Sequence, residues 1–585
     1  MRRLPALEGF FQATLVVVVA IVVDLVVSSR ETGTIAVFAM AAAVVGLTGA
    51  TGLRWRARVD LPTFRSLVRL EVLLALGCAL FALGRGALLY ESWFADSGSE
   101  SVRREAARLC DLVFLVLMLA ADVLMWRTQL FARALLALGR RPHLLLATSF
   151  AAMIATSTLL LCLPWSLENV RDVSFLDALF TSTSAVCVTG LVVNDVGAHY
   201  SAFGELVILL AIQCGGIGIM SLGAAALTFS QNASLRAQAG YARLFDARGL
   251  EDLRQVARTV VVSTLSIEAV GATILWLAWR HDPALDGRSP AWQALFHAVS
   301  AFCNAGFSLF PDNLVRFRSD GTTQTVLGAL VVLGGIGFPV YLELGRRARR
   351  RVRAWLGLDS YTRVRFALDA RIVLITTSIL LVGGACAFAC LEWSGEFAPL
   401  GVLERCGAAL FSSVTCRTAG FNTVDFGALR APTLIVAMIL MWIGGSPSST
   451  AGGIKTSAAA VLFATFMGEV RGHEPRLGRY VIAASTVRRA SAVATLSLCM
   501  LALIVFTLCC TEDLDILPLT FEAISAFATV GLSMGITSDI SHAGRLVLIA
   551  AMFIGRVGPM TVALGVGSKT TRERFRLATR DVSVW

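Results

Sequence analysis

Charge is scarce in this chain. Only 16% of its 585 residues are Asp, Glu, Lys or Arg, and lysine occurs just twice, at Lys455 and Lys569. Hydrophobic residues make up 56%, far more apolar surface than a soluble domain needs for a core, so the solvent is a bilayer and the chain is a polytopic membrane protein. The net charge of +11 would suit nucleic acid, but the Arg residues cluster in short loops between apolar runs, which is a topology signal. No CxxC is found among the thirteen Cys, and Cys162, Cys214, Cys386, Cys390, Cys509 and Cys510 lie inside apolar runs, where free buried thiols are expected. The chain also lacks HExxH, GxSxG with a suitable His, and paired aspartates within spans, which excludes the usual intramembrane enzymes. No GxGxxG follows a strand, so no nucleotide site is expected.

What the chain does have is one motif four times over. DALFTSTSAVCVTGLVV at Asp177–Val193 returns as QALFHAVSAFCNAGFSL at Gln293–Leu309 and as PLTFEAISAFATVGLSM at Pro518–Met534, with a looser copy, FSSVTCRTAGFNT, around Gly420. Phe180, Phe296 and Phe521 stand ten residues before their Gly, and Phe411 nine. Each Gly is followed by Leu or Phe: Leu191, Phe307, Phe421, Leu532. From Gly190 to Gly306, Gly420 and Gly531 the steps are 116, 114 and 111 residues, close to a fourfold tandem repeat. Four similar units imply a ring around one axis.

Apolar runs at about Phe10–Val27, Thr34–Leu53, Leu70–Tyr90 and Leu109–Trp126 give four spans before the repeats. The first is read as an uncleaved span, because Asp24 interrupts it and no small-residue cleavage site follows. Each repeat then reads span, short apolar segment, Gly loop, span. The spans are Leu144–Leu163 and Phe203–Phe229, Thr259–Trp279 and Thr322–Leu344, Ile372–Leu391 and Thr433–Phe466, Ala490–Cys510 and Arg545–Gly567. Segments such as Ala178–Val186 are too short to cross ~30 Å of hydrocarbon at ~1.5 Å per residue, so they enter and leave on one side. The expected units are residues 1–142 (extra spans), 143–258, 259–365, 366–489 (with an intramembrane loop) and 490–585 (with a basic tail).

With both termini cytoplasmic, twelve spans put the Arg-rich segments Arg54–Arg69, Arg127–Arg141, Arg236–Arg258, Arg346–Arg371, Arg471–Arg489 and Lys569–Arg580 inside. All four Gly loops fall outside, with Glu168, Asp172, Glu392, Glu396, Glu404, Glu512, Asp513 and Asp515; Arg103, Arg104 and Arg108 are the exceptions. An acidic mouth would concentrate cations, although acidic outer loops are also what remains once positive charge is kept inside.

A cation sheds water in a narrow pore only if oxygens replace its shell, and rings of backbone carbonyls do this for potassium. The repeated loops read Val188-Thr189-Gly190, Asn304-Ala305-Gly306, Thr418-Ala419-Gly420 and Thr529-Val530-Gly531. A Gly at each third position allows φ > 0 and turns successive carbonyls to one side. The preceding short helix aims its partially negative C-terminus at the pore. Four loops then form one filter, with K+ at Thr189, Gly190, Ala305, Gly306, Ala419, Gly420, Val530 and Gly531. The competing reading is four loops that merely pack.

Two further features interrupt the apolar spans. IGGSPSSTAGGIKTS at Ile443–Ser457 must break its helix, and broken backbone at mid-membrane should line the water path. It is no phosphate loop, since Ile454 stands where GxxxxGK needs Gly. Arg556 lies in an apolar run and should face a cavity or a partner. The glycines of Gly215–Met220 and Gly334–Val340 are expected to serve close helix packing. Asp24, Asp122, Glu205, Glu268 and Glu343 are expected at span ends or in local pairs, and His297 in packing.

The plan, with VTGL, CNAGF, RTAGFNT and ATVGLS, resembles the Trk/Ktr/HKT superfamily of potassium transporters, and most of all the bacterial TrkH/KtrB ion-translocating subunits, over about residues 144–567. The resemblance implies an all-α fold of four span–pore-loop–span repeats around a pseudo-fourfold pore, here preceded by four extra N-terminal spans. It implies a selectivity filter at the four loops. Ser in place of the first filter Gly accompanies sodium selectivity in that superfamily, so Gly190 favours potassium. It makes Gly444, Gly445, Ser446, Pro447, Ser448, Ser449, Thr450, Gly452, Gly453 and Lys455 an intramembrane gating loop, and Arg556 a residue that holds it closed through its backbone carbonyls or hydroxyls. K+ is the transported ion, with no organic cofactor in this chain. The resemblance also implies a homodimer in the cytoplasmic (inner) membrane, docked on a separate cytosolic nucleotide-binding subunit of TrkA/KtrA type. The expected function is potassium uptake through a gated, selective pore; a sodium- or proton-coupled secondary transporter is the alternative.

Overall fold

A computed structural model describes residues 142–168, 174–229, 250–282, 288–355, 367–447 and 449–558, all within the unit Leu138–Trp585. The four expected N-terminal spans, Ser448 and the basic tail Lys569–Arg580 lie outside the described residues.

Within each sequence repeat the order is long helix, short helix, helix. The first has α1 (Pro142–Leu161), α2 (Phe175–Cys187) and α3 (Ala202–Phe229). The second has α4 (Leu250–Trp279), α5 (Pro290–Phe302), α6 (Gly321–Ile336) and α7 (Phe338–Trp355). In the third, α8 (Leu368–Glu392), α9 (Val402–Thr415), α10 (Ala431–Trp442) and α11 (Thr456–Arg471) follow. The fourth has α12 (Ala484–Thr511), α13 (Ile516–Phe527) and α14 (His542–Val557). Arg476–Leu477 and Tyr480–Val481 pair as a small hairpin between α11 and α12.

Among the described residues three helices are long and apolar enough to cross a membrane, Val260–Trp279 of α4, α8 and α12, and only 28%, 22% and 22% of their apolar windows are buried. Val270, Ile379 and Phe506 point outward, exposure that would be costly in water and costs nothing against lipid. The short helices are the reverse. At 12 to 14 residues they reach only about 18–21 Å, yet they lie in the interior. The repeated Phe is the anchor of each: Phe180, Phe296, Phe411 and Phe521 are all buried.

Buried clusters join one repeat to the next. Phe411 and Phe421 pack with Phe302 and Phe310 between the third and second repeats. Phe521 and Leu532 pack with Phe388 and Phe426 between the fourth and third. A larger cluster holds Phe180, Phe307 and Phe527 of the first, second and fourth.

Two expectations need correction. The span drawn over Thr322–Leu344 is two helices, because Gly337 takes φ +91° and Pro339 follows, so α6 cannot continue into α7. Several carboxylates expected at an acidic mouth instead close loops. Buried Glu392 accepts from the Arg430 amide at 2.9 Å and from Thr433 Oγ1 at 2.6 Å. Glu404 caps α9 through the Gly401 amide at 2.9 Å, Glu512 accepts from the Ser541 amide at 2.9 Å, and Glu396 pairs with Arg318 at 3.0 Å.

Candidate functional site

Each short helix ends in the same strained turn. Val188, Asn304, Thr418 and Thr529 take φ of 57°, 59°, 66° and 51°, a left-handed conformation that costs an L-residue about 1–2 kcal/mol. Among the described residues only Asn313 joins them as a non-glycine with positive φ. Two positions later Gly190, Gly306, Gly420 and Gly531 take φ of 96°, 70°, 77° and 92°. Strain concentrated at four corresponding places marks a functional site, because packing alone would have selected relaxed residues there.

The four glycines meet. A Cβ on Gly190 would lie 3.1 Å from the Gly306 Cα; on Gly306, 2.7 Å from the Gly420 Cα; on Gly420, 3.2 Å from the Gly531 Cα; and on Gly531, 3.0 Å from the Gly190 Cα. Each would also run into a carbonyl of the neighbouring segment: Ala305 O, Ala419 O, Val530 O and Thr189 O respectively. The contacts therefore close a ring in chain order, in which an added Cβ would displace a neighbouring carbonyl.

Amide hydrogens around the ring are held from behind. Thr189, Ala305, Ala419 and Val530 donate to the carbonyls of Ser184, Ser300, Thr415 and Ser525 at 2.8, 2.8, 3.0 and 2.8 Å, all in the last turns of the short helices. Gly190 and Gly531 donate to the Ser184 and Ser525 hydroxyls at 3.0 and 3.1 Å. The Ser300 hydroxyl donates to Phe307 O at 2.8 Å and the Thr415 hydroxyl to Phe421 O. A backbone whose N–H groups face its own helix turns its carbonyls the other way. The buried hydroxyls of Thr189, Thr418 and Thr529 have no hydrogen-bond partner. Oxygen ligands without donors suit a cation.

Beneath the ring lies the broken segment Ile443–Lys455. Helix α10 stops at Trp442 and α11 starts at Thr456, and the intervening chain folds on itself through Gly445 N to Gly452 O at 3.3 Å and Ile454 N to Trp442 O at 3.1 Å. Gly444, Gly445, Ser446, Ser449, Thr450 and Gly452 are buried, while Pro447, Gly453 and Lys455 are half-buried. Ser449 Oγ donates to Ser446 O at 2.7 Å, and Ser446 N donates to Gly335 O at 3.1 Å.

This loop touches the ring segments directly. A Cβ on Gly452 would lie 2.5 Å from Ala528 O and against Thr529 Oγ1. Thr450 Oγ1 lies 3.1 Å from the Asn304 side-chain amide. Buried Arg556 donates through Nη1 to Thr450 O and through Nη2 to Gly215 O at 2.7 Å. Lys455 Nζ donates to Ala451 O at 2.8 Å. Both cations bond to backbone carbonyls of the loop.

Sequence reasoning passed over Arg417. It sits within RTAGF, 6% exposed, and its Nη2 donates to Gly444 O at 3.2 Å, tying the third ring segment to the first residues of the loop. The signal was available, since an Arg between buried residues is costly wherever it occurs. Gly215, Gly334 and Gly555 have a shared role. Each backs onto the last turn of a short helix, at Val186 O, Phe302 O and Phe527 O, where a Cβ would collide. His297 packs, its ring stacked on Phe310 at 4.8 Å. Glu205 faces Arg288 at 3.9 Å and Glu343 pairs with Arg347 at 3.1 Å. Glu268 is neither at a span end nor in an ion pair: buried within α4, it accepts from Gln213 Nε2 at 3.1 Å and from the Cys303 thiol at 3.8 Å.

The family described as TrkH, cation transport protein, matches residues 140–571. The Ktr system potassium uptake protein B of Bacillus subtilis is 34% identical over 445 residues, 75% of this chain and 96% of that protein. The potassium/sodium uptake protein NtpJ of Enterococcus hirae is 34% identical over 452 residues, covering 74% and 94%. The crystal structure of the potassium transporter TrkH from Vibrio parahaemolyticus superposes with a TM-score of 0.61 at 18% identity, covering 86% of this chain and 99% of that one; at that identity it shows the fold alone.

Proposed function

This chain belongs to the TrkH family of cation transport proteins, and from that premise we propose that it takes up K+ across the cytoplasmic membrane through one pseudo-fourfold pore. The filter is Val188–Gly190, Asn304–Gly306, Thr418–Gly420 and Thr529–Gly531. The observation that carries this reading is the closed ring of four glycines, each against the next segment's carbonyl, with the neighbouring amides held from behind. A dehydrating ion at the centre would meet only oxygens, and four helix C-termini add negative potential.

Gly444–Lys455 is the gate. It lies against the foot of the filter, and Arg556 holds it by a carbonyl while placing positive charge on the ion path. Opening requires the loop to leave the position that Arg556 and Arg417 hold. Two such chains form the assembly, and a TrkA/KtrA-type nucleotide-binding subunit in the cytosol supplies regulation.

Purified protein in liposomes tests the reading. K+ and Rb+ flux should exceed Na+ and Li+ flux and should follow the potassium gradient. The runner-up, a sodium- or proton-coupled transporter, draws support from the potassium/sodium designation of the Enterococcus hirae relative. It requires K+ movement against its own gradient, driven by a sodium or pH gradient.

A further inference from the structure

In all four repeats the residue after the anchoring Phe is polar and sealed behind the filter. These are Thr181, His297, Ser412 and Glu522, exposed by 2%, 0%, 1% and 0%. In the second repeat His297 uses the position as a brace. One ring nitrogen lies 2.8 Å from Gln293 O and the other 3.0 Å from the hydroxyl of Ser308, two residues beyond the filter glycine Gly306. The imidazole thus joins the short helix to the chain leaving the filter.

The fourth repeat has a carboxyl in the same place. Thr537 Oγ1 donates to Glu522 Oε1 and lies 3.0 Å from the hydroxyl of Ser533, which stands two residues beyond Gly531, as Ser308 does beyond Gly306. Glu522 Oε2 has no partner within hydrogen-bonding distance. A carboxyl sealed from solvent with half its bonding capacity unused is an expensive residue to keep, so packing does not account for it. In the ring, Gly531 adjoins Gly420 and Gly190 while Gly306 adjoins the same two from the other side, so the second and fourth segments face each other. The two braces therefore oppose each other across the axis.

We propose that Glu522 is a positioning residue for ion selection: through Thr537 and Ser533 it pins the fourth filter segment to α13 and limits how far its carbonyls can move outward. The proposal rests on the potassium-pore reading. It adds a residue outside the filter whose loss changes which ion passes while leaving a pore in place.

The test uses the full chain in liposomes and reads the ratio of K+ to Na+ flux. E522A and T537V each lower that ratio by about tenfold, the scale of one lost buried hydrogen bond, and the double variant lowers it no further than either alone. E522Q and T537S retain the wild-type ratio, because an amide oxygen still accepts and a serine hydroxyl still donates. Where E522A does not fold, T537V, of nearly the same shape, carries the test. Wild-type ratios in both E522A and T537V would overturn the proposal, as would E522Q behaving like E522A, since charge and not the brace would then be what matters. A wild-type protein that moves K+ and Na+ alike defeats the pore reading instead.

Discussion

Arg545 and Asp177 stand 368 residues apart in sequence and 2.7 Å apart in space, Nη1 to Oδ1. Their contact ties α14 of the last repeat to the first turn of α2 in the first, the junction that turns a row of four units into a closed ring.

Both side chains of this pair are mostly buried, so its loss leaves a poorly solvated charge behind. D177N and R545Q should each destabilise the detergent-solubilised protein by about 1–3 kcal/mol. R545Q should cost more, since Arg545 also donates to Ser538 O at 2.8 Å and Ile540 O at 3.0 Å. Thermal unfolding should show the double variant losing less than the sum of the two singles; strict additivity would mean the contact does not couple the repeats.

A side chain at a filter glycine must displace a neighbouring carbonyl. In G531A the added methyl group would run into Thr189 O at a φ of 92°, and in G190S the side chain would meet Ala305 O at a φ of 96°. G531A should abolish selective K+ uptake. G190S should raise Na+ permeation relative to K+ by roughly tenfold, about 1.4 kcal/mol between the two ions. Growth of a potassium-uptake-deficient host, followed by flux ratios, reads both, and wild-type uptake in G531A would be incompatible with the ring.

Arg556 spans two carbonyls, Thr450 O and Gly215 O, with its two terminal nitrogens. A lysine offers one compact ammonium and cannot hold both in the same fork. R556K should therefore loosen the gate and R556A should release it, raising basal K+ flux several-fold without altering the K+ to Na+ ratio. Unchanged basal flux in R556A would remove the residue from the gate.

Gly452 gives an independent handle on the same loop. A Cβ there would collide with Thr529 Oγ1 and Ala528 O, so G452A should push the loop off the filter. Higher basal flux, with Cys introduced at Ser449 becoming more reactive to a thiol reagent, is the expected result. A closed, unreactive G452A would show that the loop does not rest on the filter.

The repeated Phe–Gly spacing marks the four places where the structure has a short helix and a positive-φ glycine, because a buried anchor and a forced φ are local demands that each repeat must meet alone. The break at Ile443–Lys455 was equally readable, since Pro447 removes a helix donor and the two Gly pairs around it weaken the helix further. Legibility failed where a residue's role depends on a distant partner. Glu392 and Glu512 read as residues of acidic outer loops, yet they close those loops onto Arg430 and Ser541, 38 and 29 positions away. Gly337 read as part of a continuous span, although its φ splits α6 from α7.

By itself the sequence determined that this chain lives in a bilayer, that it repeats a helix–glycine turn four times, and that one helix in the third repeat must break. Composition and local backbone sterics suffice for those. Only the tertiary structure decided that each glycine rests on the carbonyl of the next repeat, and that Arg417 and Arg556 reach the same loop from different repeats. Such contacts join residues from 27 to more than three hundred positions apart, and no local rule of spacing or propensity records which buried donor will meet which carbonyl.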